Sequence, residues 1–263
     1  MAEGRRKNTV YAFVEFDITD LRIRLRELKQ TGQQSISLTA YLTRCFARTL
    51  TDHQLLNSYR KGRRRLMCFD EVDVAVMVEK EIENQLQPIH FIVRDANHKS
   101  LSTVNTELQF CRNAPVEKVV TSLDRTFFGK IPDGIRRMFW WITRKDPQVK
   151  KKYSGTVGLT NIGMFGQGNI TVLPITPMTC TLAIGTIDKK LILTEAGELQ
   201  NREILHATIC VDHDIVDGSP MTRFVMDLKT RIESLFELPQ SLSLLYVSSS
   251  QPKTQSKSHP EVS

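Results

Sequence analysis

No run of apolar residues approaches the roughly 20 that a membrane-spanning helix requires, and the opening Met-Ala-Glu-Gly-Arg-Arg-Lys has no apolar core of a secretory signal. No two cysteines have Cys-x-x-Cys spacing. The five stand at 45, 68, 111, 180 and 210, four of them among apolar neighbours. That pattern points to reduced, buried thiols in a cytoplasmic protein and to no zinc site. No internal repeat is evident. Neither charge sign dominates: the net charge of +7 is a modest excess. It favours anionic ligands, a nucleotide-bearing cofactor among them, without demanding nucleic acid. What remains is a chain of 263 residues, 40% hydrophobic, able to bury a sizeable core in one large α/β domain or two small ones.

The stretch Ile209-Cys210-Val211-Asp212-His213-Asp214-Ile215-Val216-Asp217-Gly218 organises the rest. Ala207 to Val211 reads as a strand, and Gly218, Ser219 and Pro220 break the run, with Pro220 suited to a first helical turn. Met221, Phe224, Val225, Leu228, Ile232, Leu235 and Phe236 then recur at helical spacing. His213 therefore falls where a rigid strand ends, four residues before Asp217 and a glycine. A histidine at a strand end is most often a satisfied polar residue. The His-x-x-x-Asp-Gly spacing is more restrictive but decides nothing alone.

Earlier in the chain, Val10 to Asp17 is β-prone, and Thr19-Asp20 opens a helix with Leu21, Leu25 and Leu28 on one face. After the loop Thr31 to Gln34, Ser37 to Leu50 forms a stronger helix with a stripe of Leu38, Tyr41, Leu42, Cys45, Phe46 and Leu50. The basic run Tyr59 to Arg65, centred on Gly62, reads as a solvated hairpin rather than a nucleic-acid contact. Val72 to Val78 and Ile89 to Val93 are predicted strands joined by a charged connection from Glu79 to Gln87. A helix bearing Leu101, Val104, Leu108 and Cys111 follows. Residues 115–153 interleave aromatic and aliphatic side chains, both tryptophans included, with arginine and lysine. A helical excursion packed on its own domain, a membrane-surface segment and a ligand-tunnel lining all fit that composition.

Five glycines fall between Gly155 and Gly168, yet no Gly-Lys-Ser/Thr follows. A strand leading into a glycine-rich turn therefore suits the stretch better than a phosphate loop. Thr181 to Ile187 and Lys190 to Thr194 are predicted strands, followed by a turn from Glu195 to Glu198. Leu242 to Val247 could form a last strand, and residues 248–263 have the polar composition of a disordered tail.

Together these segments resemble the catalytic domain of the dihydrolipoyl acyltransferases of 2-oxo acid dehydrogenase complexes, over about Val10 to Phe236. The family's Asp-His-Arg-x-x-Asp-Gly corner is matched by Asp212 to Gly218, and its Gly-Thr-Phe-Thr-Ile-Ser-Asn-x-Gly stretch by Gly155 to Gly163. Its Ala-Ile-Leu-Gly strand is matched by Leu182 to Gly185, and its Val-x-Pro-Val-Ile-x-x-Ala-Asp-x-Lys-Ser segment by residues 88–100. Asp214 replaces the usual arginine, and Thr160 stands where the family has serine.

The resemblance implies a chloramphenicol acetyltransferase-like α/β fold: a mixed sheet with helices packed on one side, forming trimers. The expected organisation is a single acyltransferase catalytic domain over residues 1–247, with the excursion at 115–153, and the tail at 248–263. Nothing here resembles a lipoyl or subunit-binding domain, so a stand-alone module is expected. Coenzyme A or acyl-coenzyme A would be a substrate, no metal is needed, and a separate lipoyl-bearing protein is a candidate partner. The implied catalytic set is His213, Asp217 and Thr160. His213 would take the proton of an attacking thiol, since imidazole with an ordinary pKa near 6.5 is mostly neutral at pH 7. Thr160 would supply a hydroxyl to the oxyanion. Asp217 would fix the corner through an early arginine, Arg5 or Arg6. No site for holding coenzyme A is assigned. A non-catalytic trimeric scaffold or acyl-coenzyme A-binding protein is the alternative, and a nucleic-acid or membrane-surface protein using Arg60 to Arg65 and Trp140-Trp141 a further one.

Overall fold

Strong alternation and two leucine-rich helical stripes produce two layers, a sheet and the helices on it. The computed structural model describes residues 7–32, 35–62, 64–82, 85–114, 132, 134, 146–161, 170–193 and 197–238. Chain order gives β1 (Thr9–Asp17), α1 (Thr19–Gln30), α2 (Leu38–Asp52), β2 (Ser58–Lys61), β3 (Arg65–Cys68), β4 (Val74–Ile82), β5 (Gln85–Val93) and α3 (Leu101–Asn113). Then come α4 (Pro147–Ser154), β6 (Val157–Asn161), β7 (Cys180–Leu193), β8 (Leu199–Asp212) and α5 (Gly218–Glu233).

Six strands form one mixed sheet in the order β1-β8-β7-β6-β4-β5, and β2 pairs with β3 alone. The pairs β4–β6 and β6–β7 are parallel, and the others are antiparallel. One face carries Phe16, Val74, Val76, Val157, Leu159, Cys180, Leu182, Leu205, Ala207, Ile209 and Val211 against α1, α2, α3 and α5, which bring Leu21, Phe46, Leu50, Val104, Phe224 and Leu228. Period-two alternation on strands meeting period-3.6 stripes on helices is what sorts these residues to one side. On the opposite face, Ala75 and Ile92 meet Tyr59 and Phe69 from around the β2–β3 hairpin.

The helix caps follow local chemistry. Ser37 caps α2 by accepting from the Ala40 N–H, and Ser100 caps α3 through Thr103. At α1 the expected Thr19-Asp20 cap gives way to Asp17, whose carboxylate accepts from the Thr19 N–H and hydroxyl at 3.0 and 2.6 Å.

Three expectations change. The backbone of the charged connection Glu79 to Gln87 is mostly strand, because β4 continues to Ile82 and β5 begins at Gln85. Charged residues on a hairpin that ends at the sheet's edge hide the alternation that would reveal it. The two strands predicted between Thr181 and Thr194 are one, β7, with a bulge between Ile184 and Ile187. The stretch Ala207 to Val211 is the end of a strand that starts at Leu199. Most of the 115–153 excursion and the proposed strand Leu242 to Val247 lie outside the described residues, as does the tail; α4 is the last part of the excursion and the one element seen there.

Candidate active site

The chain leaves β8 at Asp212, turns through His213 to Asp217, and enters α5 at Gly218. Buried Val211 and Val216 flank this corner and anchor it in the core. Asp212 is the hinge pin. Its N–H donates to the Thr179 carbonyl at 2.9 Å, and its own carbonyl accepts from Ile215 and Val216. One carboxylate oxygen accepts the Asp214 N–H at 3.2 Å, while the other pairs with the Lys7 ammonium at 2.9 Å.

His213 is exposed, yet its backbone is held: its N–H donates to the Asn8 carbonyl at 2.8 Å. The Asn8 amide reaches on to the Asp214 carboxylate at 2.8 Å, and Arg60 of the β2–β3 hairpin donates to the Asp214 carbonyl at 2.7 Å. The segment before β7 is tied in as well. Lys7 donates to the Met178 carbonyl, Lys150 of α4 to the Pro177 carbonyl, and the Thr179 hydroxyl to the Ser58 carbonyl. Lys150 also lies 4.1 Å from the centroid of Tyr59. The imidazole of His213 bonds to no described residue, so the corner presents a free ring on a fixed backbone.

Asp217 occupies the N-cap position of α5, but its carboxylate makes no cap hydrogen bond and the residue is exposed. The early arginines expected to hold it, Arg5 and Arg6, lie outside the described residues. The N-terminal cation seen at the corner is Lys7, and it holds Asp212.

Thr160 lies on β6, on the face opposite the helices, half-buried. Its strand is started by Gly155, whose φ of 75° puts it in the left-handed region, with a Cβ there only 2.7 Å from the Asp73 carbonyl. That close approach lets Asp73 and Thr156 lock β6 to β4 through Thr156 N–H and hydroxyl contacts. Thr160 pairs in register with Ala183, and Ala183 with Thr208, five residues short of His213. Standard strand dimensions then separate Thr160 and His213 by about 16 Å along the sheet and about 10 Å across it. One copy of the chain does not bring them together.

Burial pushes Cys45 and Cys210 up to about 12 and Cys180 well above the usual thiol range, which disfavours a thiolate at each of the three near neutral pH. None of the five cysteines is in a disulfide.

The local signals in the sequence singled out His213 and Thr160 and gave no sign of the ties made by Lys7, Asn8, Arg60 and Thr179. Each acts across more than a hundred residues or through a backbone group, and neither leaves a spacing to read.

A mixed sheet with helices on one side and a histidine-bearing corner at the end of an inner strand defines the class of this protein. The chain belongs to the 2-oxoacid dehydrogenases acyltransferase (catalytic domain) family, whose sequence pattern matches residues 2–122 and 119–239. It is 33% identical over 84 residues to a dihydrolipoyllysine-residue acetyltransferase component of the pyruvate dehydrogenase complex from Mycoplasma genitalium, a match covering 32% of this chain and 22% of that protein. The first relatives are matched over only 22% to 33% of their own length. The structure of a probable dihydrolipoamide acetyltransferase from Listeria monocytogenes 4b F2365 aligns with 92% of this chain and 91% of that one, with a TM-score of 0.66 and 17% identity. That of Azotobacter vinelandii dihydrolipoamide acetyltransferase, solved to examine a serine, a histidine and an asparagine in its catalytic mechanism, covers 89% of this chain and 85% of its own, with a TM-score of 0.64 and 16% identity. The chain thus shares the fold of the acetyltransferase cores. Among the described residues no helix is long and apolar enough to cross a membrane.

Proposed function

We propose that the protein is an acyltransferase that moves an acyl group between coenzyme A and a thiol of dihydrolipoyl type or another small acceptor, with His213 as general base. The carrying observation is the corner itself: an exposed imidazole without a partner among the described residues, on a backbone held at Asn8, Thr179 and Asp212. A structural histidine would be expected to spend its ring on a neighbour.

In the step proposed, neutral His213 takes the proton of the attacking thiol, and the thiolate adds to the thioester carbonyl. The tetrahedral oxyanion accepts a hydrogen bond from the Thr160 hydroxyl. Collapse expels the second thiolate, which regains the proton from the imidazolium, so the enzyme ends as it began. Because Thr160 and His213 are far apart in one copy, the hydroxyl must come from a neighbouring copy. A homotrimer with its sites between subunits follows, in keeping with closed cyclic assembly. The serine and histidine studied in the Azotobacter vinelandii relative support these two roles. The lipoyl group would reach the site on a separate protein or be replaced by a small thiol. Free, mostly buried cysteines suit the reducing cytoplasm.

The test is acetyl transfer from acetyl-coenzyme A to free dihydrolipoamide, with native mass measured on the same samples. Turnover by a trimer, abolished in a trimeric His213→Ala protein, is expected. A trimer that shows no turnover with any thiol acceptor would favour the scaffold or acyl-coenzyme A-binding alternative, and a monomer would remove the shared site.

A further inference from the structure

We propose that Lys7 is a positioning residue for His213, acting through Asp212; this rests on His213 being the base. Asp212 uses all four of its polar functions at the corner, and among the described residues Lys7 is the cation paired with it. Its Oδ1 closes the turn over the residue after the imidazole, and its Oδ2 is held by the ammonium at 2.9 Å. The same ammonium donates to the Met178 carbonyl at 3.0 Å, so one cation joins the end of β8 to the segment entering β7.

The pair is largely shielded: the Asp212 side chain is 6% exposed and that of Lys7 14%. A carboxylate so placed loses most of its water, and removing the cation leaves it without compensation. The least costly relief is for Asp212 to swing toward solvent, which releases the Asp214 N–H and frees the turn. Val211 and Val216 stay buried, so the sheet and α5 survive while the backbone that carries the imidazole loses its fixed position. Lys7 also immediately precedes Asn8, whose carbonyl holds the His213 N–H. The ion pair therefore fixes both the segment that accepts the His213 N–H and the corner. Chemistry that depends on a well-aimed base is sensitive to such loosening even when the fold is intact.

The experiment uses the full chain and compares wild type, Lys7→Met, Lys7→Arg and Asp212→Asn. Two quantities are read: steady-state transfer from acetyl-coenzyme A to dihydrolipoamide, and the His213 imidazole resonance in isotopically labelled protein. Lys7→Met is expected to lower kcat roughly 10- to 100-fold with KM within about twofold, as a misaimed reacting group does. Its imidazole resonance should broaden or double, whereas Lys7→Arg should restore both readouts toward wild type. Asp212→Asn keeps an acceptor for the Asp214 N–H but releases the ammonium, so it should behave like Lys7→Met and stands in for it should that variant not fold. A folded Lys7→Met protein with wild-type kcat and one sharp resonance overturns the proposal. So does a loss of kcat that Lys7→Arg leaves uncorrected while the resonance is unchanged. Full activity in His213→Ala would end the assignment of the base, yet the resonance would still decide whether Lys7 holds the ring.

Discussion

The two ends of the β7–β8 pair are opposites. At one, the strands finish in a corner tied by Lys7, Asn8, Arg60 and Thr179, with Lys150 holding the segment beside it. At the other they run on as a two-stranded ribbon to Leu193 and Leu199, where Leu191, Leu193 and Leu199 are each more than 60% exposed. The ladder of strand pairs reaches both ends, so pairing is not what distinguishes them. At the histidine end the long-range polar ties reach the corner itself, whereas at the ribbon they stop at its base, Lys190 with Glu15 and Glu203 with Arg22 and Arg26, and leave bare apolar side chains at the tip. Two-stranded ribbons are marginal alone, whereas a site that must aim a proton acceptor needs a supporting shell.

The comparison can be broken at several points. The largest effect should come from the corner. Replacing His213 with Ala should cost about 100- to 10,000-fold in kcat with substrate affinity nearly kept. A normally folded, fully active variant would show the corner to be structural only. Next, Thr160→Ala should lower turnover about 100- to 1,000-fold through loss of one oxyanion donor, and Thr160→Ser should retain it. Equal rates for Ala and Ser would remove the hydroxyl from the mechanism. At the ribbon, changing Leu191, Leu193 and Leu199 singly to Ser should move the unfolding free energy by no more than about 0.5 kcal/mol, the usual range for exposed sites. A drop of several times that in chemical denaturation would mean that another surface covers them.

The smallest effect is a pH slope. Burial, and then the charge of Arg94, holds the His90 imidazole below its ordinary value of 6.5. As pH falls below 6.5 the unfolded chain takes up this proton before the folded one does, so stability declines there; above it both states are neutral and the contribution vanishes. His90→Gln should therefore show a shallower fall in melting temperature between pH 7.5 and 5. An identical slope in the variant would place the acid sensitivity elsewhere.

The fold was legible where one period dominated. The apolar stripes of Leu38 to Leu50 and from Met221 onward are single-faced in the sequence and each forms a helix, although α2 is buried well beyond its stripe and α5 ends at Glu233, before Leu235 and Phe236. The alternation of β7 was not legible as one strand, since the bulge puts Ile184 and Ile187 on the same face three residues apart. The hairpin reading of Tyr59 to Arg65 holds, because Gly62 supplies the left-handed turn; its φ is 72°. Its anchor, Arg60 on the Asp214 carbonyl, was hidden, because a backbone acceptor has no sequence signature. The corner showed its histidine through short-range spacing. It concealed Lys7, whose partner Asp212 lies in the strand beside β1, over two hundred residues on.

The bulge in β7 works as a phase shifter. Gly185 and Thr186 meet residue 170 from outside: a Cβ at Gly185 would collide with the Ile170 carbonyl, and the Ile170 N–H donates to the Thr186 hydroxyl. Beyond the extra residue, odd-numbered positions of β7 continue the side on which Ile187 packs, Leu191 and Leu193 among them, though both are largely exposed. Straightening the strand there at constant length would exchange those leucines with Lys190 and Ile192 while leaving Cys180, Leu182 and Ile184 in place, since a one-residue slip turns every side chain over. A change that abolishes the bulge without removing a residue would therefore remake the ribbon's outward character while the histidine end stays in register.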